Sequence, residues 1–63
     1  MTPEDGELLQ AVPVGEENAA RTTEIWRTLG RKVSLHKVRR QLTWLEKIGE
    51  VKRVGRWQLR WYR

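Results

Sequence analysis

The clearest pattern of hydrophobic and polar positions lies between residues 34 and 48. Four aliphatic residues recur there at the three- and four-residue spacing that places them on one side of a helix: Leu35, Val38, Leu42 and Leu45. Ser34 is a preferred residue for a helix start, and Gly49 stands where a helix commonly ends. The spacing therefore predicts a long amphipathic helix over 34–48.

A first helix is predicted over residues 3–11. Thr2 supplies a capping hydroxyl, Pro3 suits the first helical position, and Pro13 follows the last turn. The apolar residues of this helix and its end are Leu8, Leu9 and Val12.

A second helix is predicted over residues 23–29. Thr22 or Thr23 caps it, and Gly30 ends it in the left-handed conformation. Ile25 and Leu29 form its core pair, and residues 19–22 before it can form a short extended piece.

From Glu50 the pattern changes to alternation, which predicts a β-hairpin wing over residues 50–62. An odd-numbered loop places four apolar residues on one side: Val51, Trp57, Leu59 and Trp61. We predict a three-residue loop of Arg53, Val54 and Gly55, with Arg53 and Arg56 at the tip. The whole chain, residues 1–63, is then a single α+β domain, mainly α.

The charge of the chain is divided unevenly along its length. Residues 1–20 carry five acids and no base, whereas residues 21–63 carry all thirteen Lys and Arg against three acids, a net charge of +10. This balance is typical of a domain that binds a polyanion.

Length and composition exclude several classes of function. With 63 residues and no cysteine, the chain offers neither a disulfide framework nor a thiolate metal site. Its single histidine would need several carboxylates to complete a transition-metal site. It has no Walker-type phosphate loop and no paired nucleophile and base. We therefore expect no enzyme activity, no cofactor, no metal, no small-molecule substrate and no membrane span. A basic, cysteine-free chain with an acidic beginning is expected in the cytoplasm, associated with the nucleoid.

The order helix, helix, long helix, hairpin resembles a winged helix-turn-helix DNA-binding domain. The resemblance covers roughly residues 4–62 and is carried by the stretches TTEIWRTLG and SLHKVRRQLTWLEKIGEV. Trp26 stands where compact helix-turn-helix proteins usually have alanine, and the turn after Gly30 is about two residues longer, which favours the winged form. The resemblance implies a fold of three helices and a two-stranded wing, with helix three as the recognition helix.

Helix three supplies most of the candidate DNA contacts. Arg39 and Arg40 lead, because a guanidinium pairs with guanine or phosphate in a bidentate way. The further candidates for base or phosphate contact are Ser34, His36, Lys37, Thr43 and Lys47 on the helix, and Arg53 and Arg56 on the wing. A single module buries little DNA surface, so we expect a homodimer or a partner protein to complete the site.

Three of the tryptophans are expected in or near the core. Trp57 and Trp61 share the apolar side of the hairpin, and Trp26 is expected to be half-buried. Trp44 lies nearly opposite the apolar side of helix three, which leaves three roles open: packing against the wing, a dimer contact, or stacking on DNA sugar.

The sequence is compatible with three functions. The first is a duplex DNA-binding transcription regulator with helix three in the major groove and the wing on the adjacent backbone or minor groove. The second is a winged-helix protein-interaction module, in which Trp44 and the acidic first segment form contact surfaces. The third is binding of structured RNA. Arg39, Arg40 and Lys47 can also belong simply to a solvated helix exterior.

Overall fold

The structure is a computed structural model that describes residues 3–63. The described chain forms, in order, α1 (Pro3–Ala11), a 3-10 turn (Glu16–Asn18), β1 (Ala20–Arg21), α2 (Thr22–Thr28), α3 (Leu35–Lys47), β2 (Lys52–Val54) and β3 (Arg60–Tyr62). These elements make a small α+β fold of three α-helices and one three-stranded antiparallel sheet.

The first and third helices form where the pattern predicts them. α1 has the predicted range, although the cap predicted at Thr2 lies outside the described residues. At the start of α3, the Ser34 hydroxyl accepts a hydrogen bond from the backbone N–H of Lys37 at 3.1 Å, as expected of a capping serine. Ile48 and Gly49 follow the last turn, and Gly49 has a positive φ of 82°.

β2 and β3 form the predicted antiparallel hairpin, but the sheet has a third strand, so the prediction of only two strands is wrong. Its strand order is β1-β3-β2, and β1 pairs with β3 through Ala20 opposite Trp61 and Arg21 opposite Arg60. Two residues are too few to show a period of two, which is why the sequence indicates only an extended piece here.

The hairpin loop, residues 55–59, is longer than predicted. β2 ends at Val54 and β3 begins at Arg60, which leaves five residues between the strands instead of three. The predicted odd number is correct, because Arg53 pairs with Trp61 and the buried Val51 lies on the same side as Trp61. Trp57 belongs to the loop and not to the strand, so its predicted place in the core is wrong: it is 92% exposed.

The core lies between the three helices and one side of the sheet. Its buried apolar members are Leu8, Val12, Ala20, Ile25, Val38, Leu42, Leu45, Val51 and Trp61. Leu35 is exposed at the first turn of α3, although its spacing groups it with the buried side of that helix.

Thr22 serves as the hydrogen-bond acceptor for the buried indole of Trp61. The indole N–H donates to the Thr22 hydroxyl at 2.9 Å, which satisfies a polar group that burial would otherwise penalise. α2 begins at Thr22 itself, and Arg21 precedes it without a side-chain cap. The prediction that Thr22 or Thr23 caps this helix is therefore wrong.

The turn between α2 and α3 is held by Trp26. The half-buried indole donates its N–H to the backbone carbonyl of Val33 at 2.7 Å, and the Arg31 guanidinium lies 5.4 Å from the centre of its ring. Gly30 and Arg31 both have positive φ, 78° and 58°. Trp26 and the longer turn thus occur together, because the Trp26 indole spans the turn and donates a hydrogen bond to Val33 at its end.

Candidate nucleic-acid interface

The outward side of α3 presents a shallow depression whose lining contains most of the predicted contact residues. Burial of Val38, Leu42 and Leu45 fixes the rotation of the helix, so the opposite side must point away from the core. The depression, called here the helix groove, is lined by His36, Arg39, Arg40, Thr43, Trp44 and Lys47.

A second depression, called here the loop groove, lies between the first turns of α2 and α3 and the hairpin loop. It is lined by Arg21, Thr22, Thr23, Leu35, His36, Arg39, Trp57, Gln58 and Leu59. His36 and Arg39 line both grooves, so the two grooves adjoin along α3. Side chains of α3 and of the hairpin loop therefore line adjoining depressions.

The cations of the surface formed by these two grooves have no carboxylate partner among the described side chains. In the part of the chain that the structure describes, Arg39, Arg40 and Lys47 are exposed and form no ion pair. Among the described residues, no carboxylate lines the helix groove or the loop groove. The surface is therefore positively charged and open to an anionic ligand.

The acidic beginning of the chain meets α3 on its flank. Asp5 is buried and lines a neighbouring depression with Lys37 and Arg40. The Gln41 amide donates to a carboxylate oxygen of Asp5 at 3.5 Å. This carboxylate and Lys37 thus line the depression beside the helix groove, and Arg40 lines both.

Arg53 does not lie at the tip of the wing, so that part of the prediction is wrong. Arg53 lies in β2, and its Nε is 3.2 Å from a carboxylate oxygen of Glu46 on α3. Arg56 does lie in the hairpin loop, but it lines a depression on the other side of the loop, together with Trp57 and Arg60. The loop therefore presents one of the two predicted arginines.

Two of the helix-three candidates already use their hydroxyl groups. The Thr43 hydroxyl donates to the carbonyl of Arg39 at 3.0 Å, and Ser34 caps the helix. The oxygen of Thr43 keeps lone pairs with which it can accept a further hydrogen bond.

Comparison of the chain with protein-family models, with curated proteins and with solved structures gave no match. Within residues 3–63, no group of three or more His, Cys, Asp or Glu side chains could hold a metal ion. None of the described helices has the length and apolar character needed to cross a bilayer.

Sequence reasoning missed three residues of the loop groove: Arg21, Trp57 and Gln58. Arg21 Nη2 donates to Gln58 Oε1, which ties the hairpin loop to β1. Recognising β1 as a strand that pairs with β3 would have placed Arg21 opposite Arg60 and beside the loop. The five-residue loop that exposes Trp57 carries no comparable signal, because its alternation continues that of the strand.

Trp44 is 43% exposed on the outward side of α3. The two depressions that it borders are lined by residues of α1 and α3, with no residue of the hairpin among them. A dimer contact and stacking on DNA sugar stay predictions for this side chain.

Proposed function

We propose that this chain binds duplex DNA, with α3 in the major groove and the hairpin loop against the adjacent backbone or minor groove. The observation that carries the proposal is the junction of the helix groove and the loop groove at His36 and Arg39, without a carboxylate in either lining. Cations of α3, together with Arg21 of β1, then face one polyanion, beside Trp57 and Gln58 of the hairpin loop. The biological role that fits such a module is a small transcription regulator associated with the nucleoid.

The dimensions of α3 support this docking. A helix of 13 residues is about 20 Å long, and a major groove about 12 Å wide admits a helix side-on. Three helices followed by an antiparallel hairpin agree with the winged helix-turn-helix arrangement that the sequence resembles. In that arrangement the loop next to the recognition helix reaches the neighbouring phosphates.

The contact residues divide by chemistry. Arg39 and Arg40 form no ion pair with any described residue, and their guanidinium groups suit bidentate contacts to guanine or phosphate. Lys47 and Arg56 suit phosphate contacts, which position the protein without reading the sequence. With four to seven such contacts, log affinity should fall with log salt at a slope of roughly −4 to −6.

The test is a fluorescence-anisotropy titration of duplex DNA at a low and a physiological salt concentration. The double variant Arg39→Glu, Arg40→Glu should abolish binding, because it places two carboxylates in the helix groove. The matched control is Arg27→Glu, Lys52→Glu, which makes the same charge change at exposed residues outside both grooves and should retain most of the affinity. Equal loss in both double variants, or no binding by the wild type at low salt, contradicts the proposal.

Duplex RNA serves as the competitor in the same titration. Its deep and narrow major groove does not admit a helix, so it should displace DNA only weakly. Stronger competition by duplex RNA would favour the structured-RNA alternative. Capture of a protein partner that persists in the Arg39→Glu, Arg40→Glu variant would favour the interaction module.

A further inference from the structure

Trp57 is the most exposed of the large hydrophobic side chains that the structure describes, and it lies at the tip of the hairpin loop. At 92% exposure, its indole leaves both ring faces open to solvent. Full exposure of so large an apolar group forfeits a stabilisation that burial would provide. This makes Trp57 a candidate for contact with a ligand.

The loop that carries Trp57 contains a glycine with a positive φ and contacts the body of the protein on one side of the indole. Gly55 has a φ of 100°, and a Cβ at this position would collide with the backbone carbonyl oxygen of Gln58. The Gln58 side chain accepts the hydrogen bond from Arg21, and Leu59 is half-buried. Gln58 and Leu59 thus contact the body of the protein, so the backbone that carries the indole lies beside the loop groove before a ligand binds.

Cations flank the indole on both sides. One side borders the loop groove with Arg21 and Arg39, and the other borders the depression with Arg56 and Arg60. No carboxylate lines either depression among the described residues. An exposed aromatic ring between guanidinium groups is suited to a nucleic-acid segment whose phosphates contact the cations and whose base stacks on the ring.

A fully paired duplex offers no such base, because each base face inside it is covered by its neighbours. An open base face exists where pairing stops. We infer that Trp57 stacks on an unpaired base, so that the protein prefers a duplex beside a single-stranded segment to a fully paired duplex. The inference rests on the proposed duplex binding and adds the kind of DNA structure that the site selects.

The test uses three fluorescently labelled DNAs that share one duplex: a blunt form, a form with a short thymine overhang, and a form with an abasic overhang of equal length. The last two carry the same phosphates and differ only in their bases. The wild type should bind the thymine overhang about 5- to 150-fold more tightly than the abasic one, the range that stacking of one base supplies.

The variants separate stacking from charge and from folding. Trp57→Ala should lose the discrimination between the thymine and the abasic overhang, and Trp57→Phe should retain part of it. The matched control is Trp44→Ala, which removes the exposed indole of α3 and should leave the discrimination intact. Circular dichroism checks that each variant folds. The thymine overhang should quench indole fluorescence more than the abasic overhang does, and this difference should disappear in Trp57→Phe.

Discrimination of less than about twofold by the wild type, or undiminished discrimination by a folded Trp57→Ala, overturns the inference, since stacking on one base is worth more than that. If the blunt duplex is bound with a steep salt dependence and the overhangs are not distinguished, the inference alone fails. If no duplex is bound at low salt, the proposed function fails and the inference fails with it.

Discussion

Replacement of Arg40 by alanine should weaken DNA binding without unfolding the protein. Arg40 is exposed on α3, lines two depressions, and forms no ion pair in the described part of the chain. Its removal therefore breaks no ion pair of the described residues, and alanine is the better helix former, so the free energy of unfolding should change by less than about 0.5 kcal/mol. The substitution should instead lower the affinity for DNA.

The size of that loss follows from the contact proposed. A bidentate guanidinium contact to one base is worth about 1–3 kcal/mol, which is roughly a 5- to 150-fold loss of affinity. The assay is an anisotropy titration against a duplex selected from a randomised library and against the same duplex with single base pairs exchanged. Arg40→Ala should bind the two duplexes more nearly alike than the wild type does.

Arg53→Ala is the matched control, because it removes the same charge from a residue outside both grooves. Arg53 already pairs with Glu46, an exposed ion pair worth about 0–1 kcal/mol to stability. Since salt screens distant charges, the affinity of this variant should fall by only about twofold at physiological salt. Equal losses for Arg40→Ala and Arg53→Ala, or an unchanged base preference in Arg40→Ala, would refute the reasoning.

Four further predictions concern other parts of the molecule. Arg56→Ala should weaken binding to all duplexes alike and reduce the salt slope by about one; a change in base preference would assign this residue a different role. Thr22→Val should cost about 1–3 kcal/mol in urea unfolding, because it leaves the buried indole N–H of Trp61 without its acceptor, and the cost should vanish in a Trp61→Phe background. Trp26→Phe removes the bond across the turn and should cost about 1 kcal/mol or more in the same assay; no change would mean that the bond is dispensable. Gly55→Ala should lower the unfolding free energy by about 1–3 kcal/mol, because both its positive φ and its neighbours oppose a Cβ, and an unchanged value would show that the loop is adaptable.

The elements that could be predicted from sequence are those whose signals are local. A capping serine, glycines after the last turns and a repeated helical spacing determine the limits of α1 and α3 and the burial of Val38, Leu42 and Leu45. Burial of one side of α3 in turn determines which side faces outward, so the residues of the helix groove could be named in advance.

What could not be predicted depends on pairing between distant residues. β1 is recognisable only through its register with β3, 40 residues away along the chain. The length of the hairpin loop decides whether Arg53 lies at the tip or in a strand, and the alternation of residues leaves that length open. The partner of Arg53 on α3 and the acceptor of the Trp61 indole are likewise consequences of packing.

The central claim is that cations of α3 and residues of the hairpin loop contact the same duplex. Its most direct test is mapping of backbone amide chemical-shift changes in the ¹⁵N-labelled protein on titration with a short DNA duplex. The changes should concentrate in residues 36–47 and 55–59 and at Arg21, with α1 and residues 12–18 unaffected. Changes confined to α1 and residues 12–18, or none at saturating duplex, would contradict the claim.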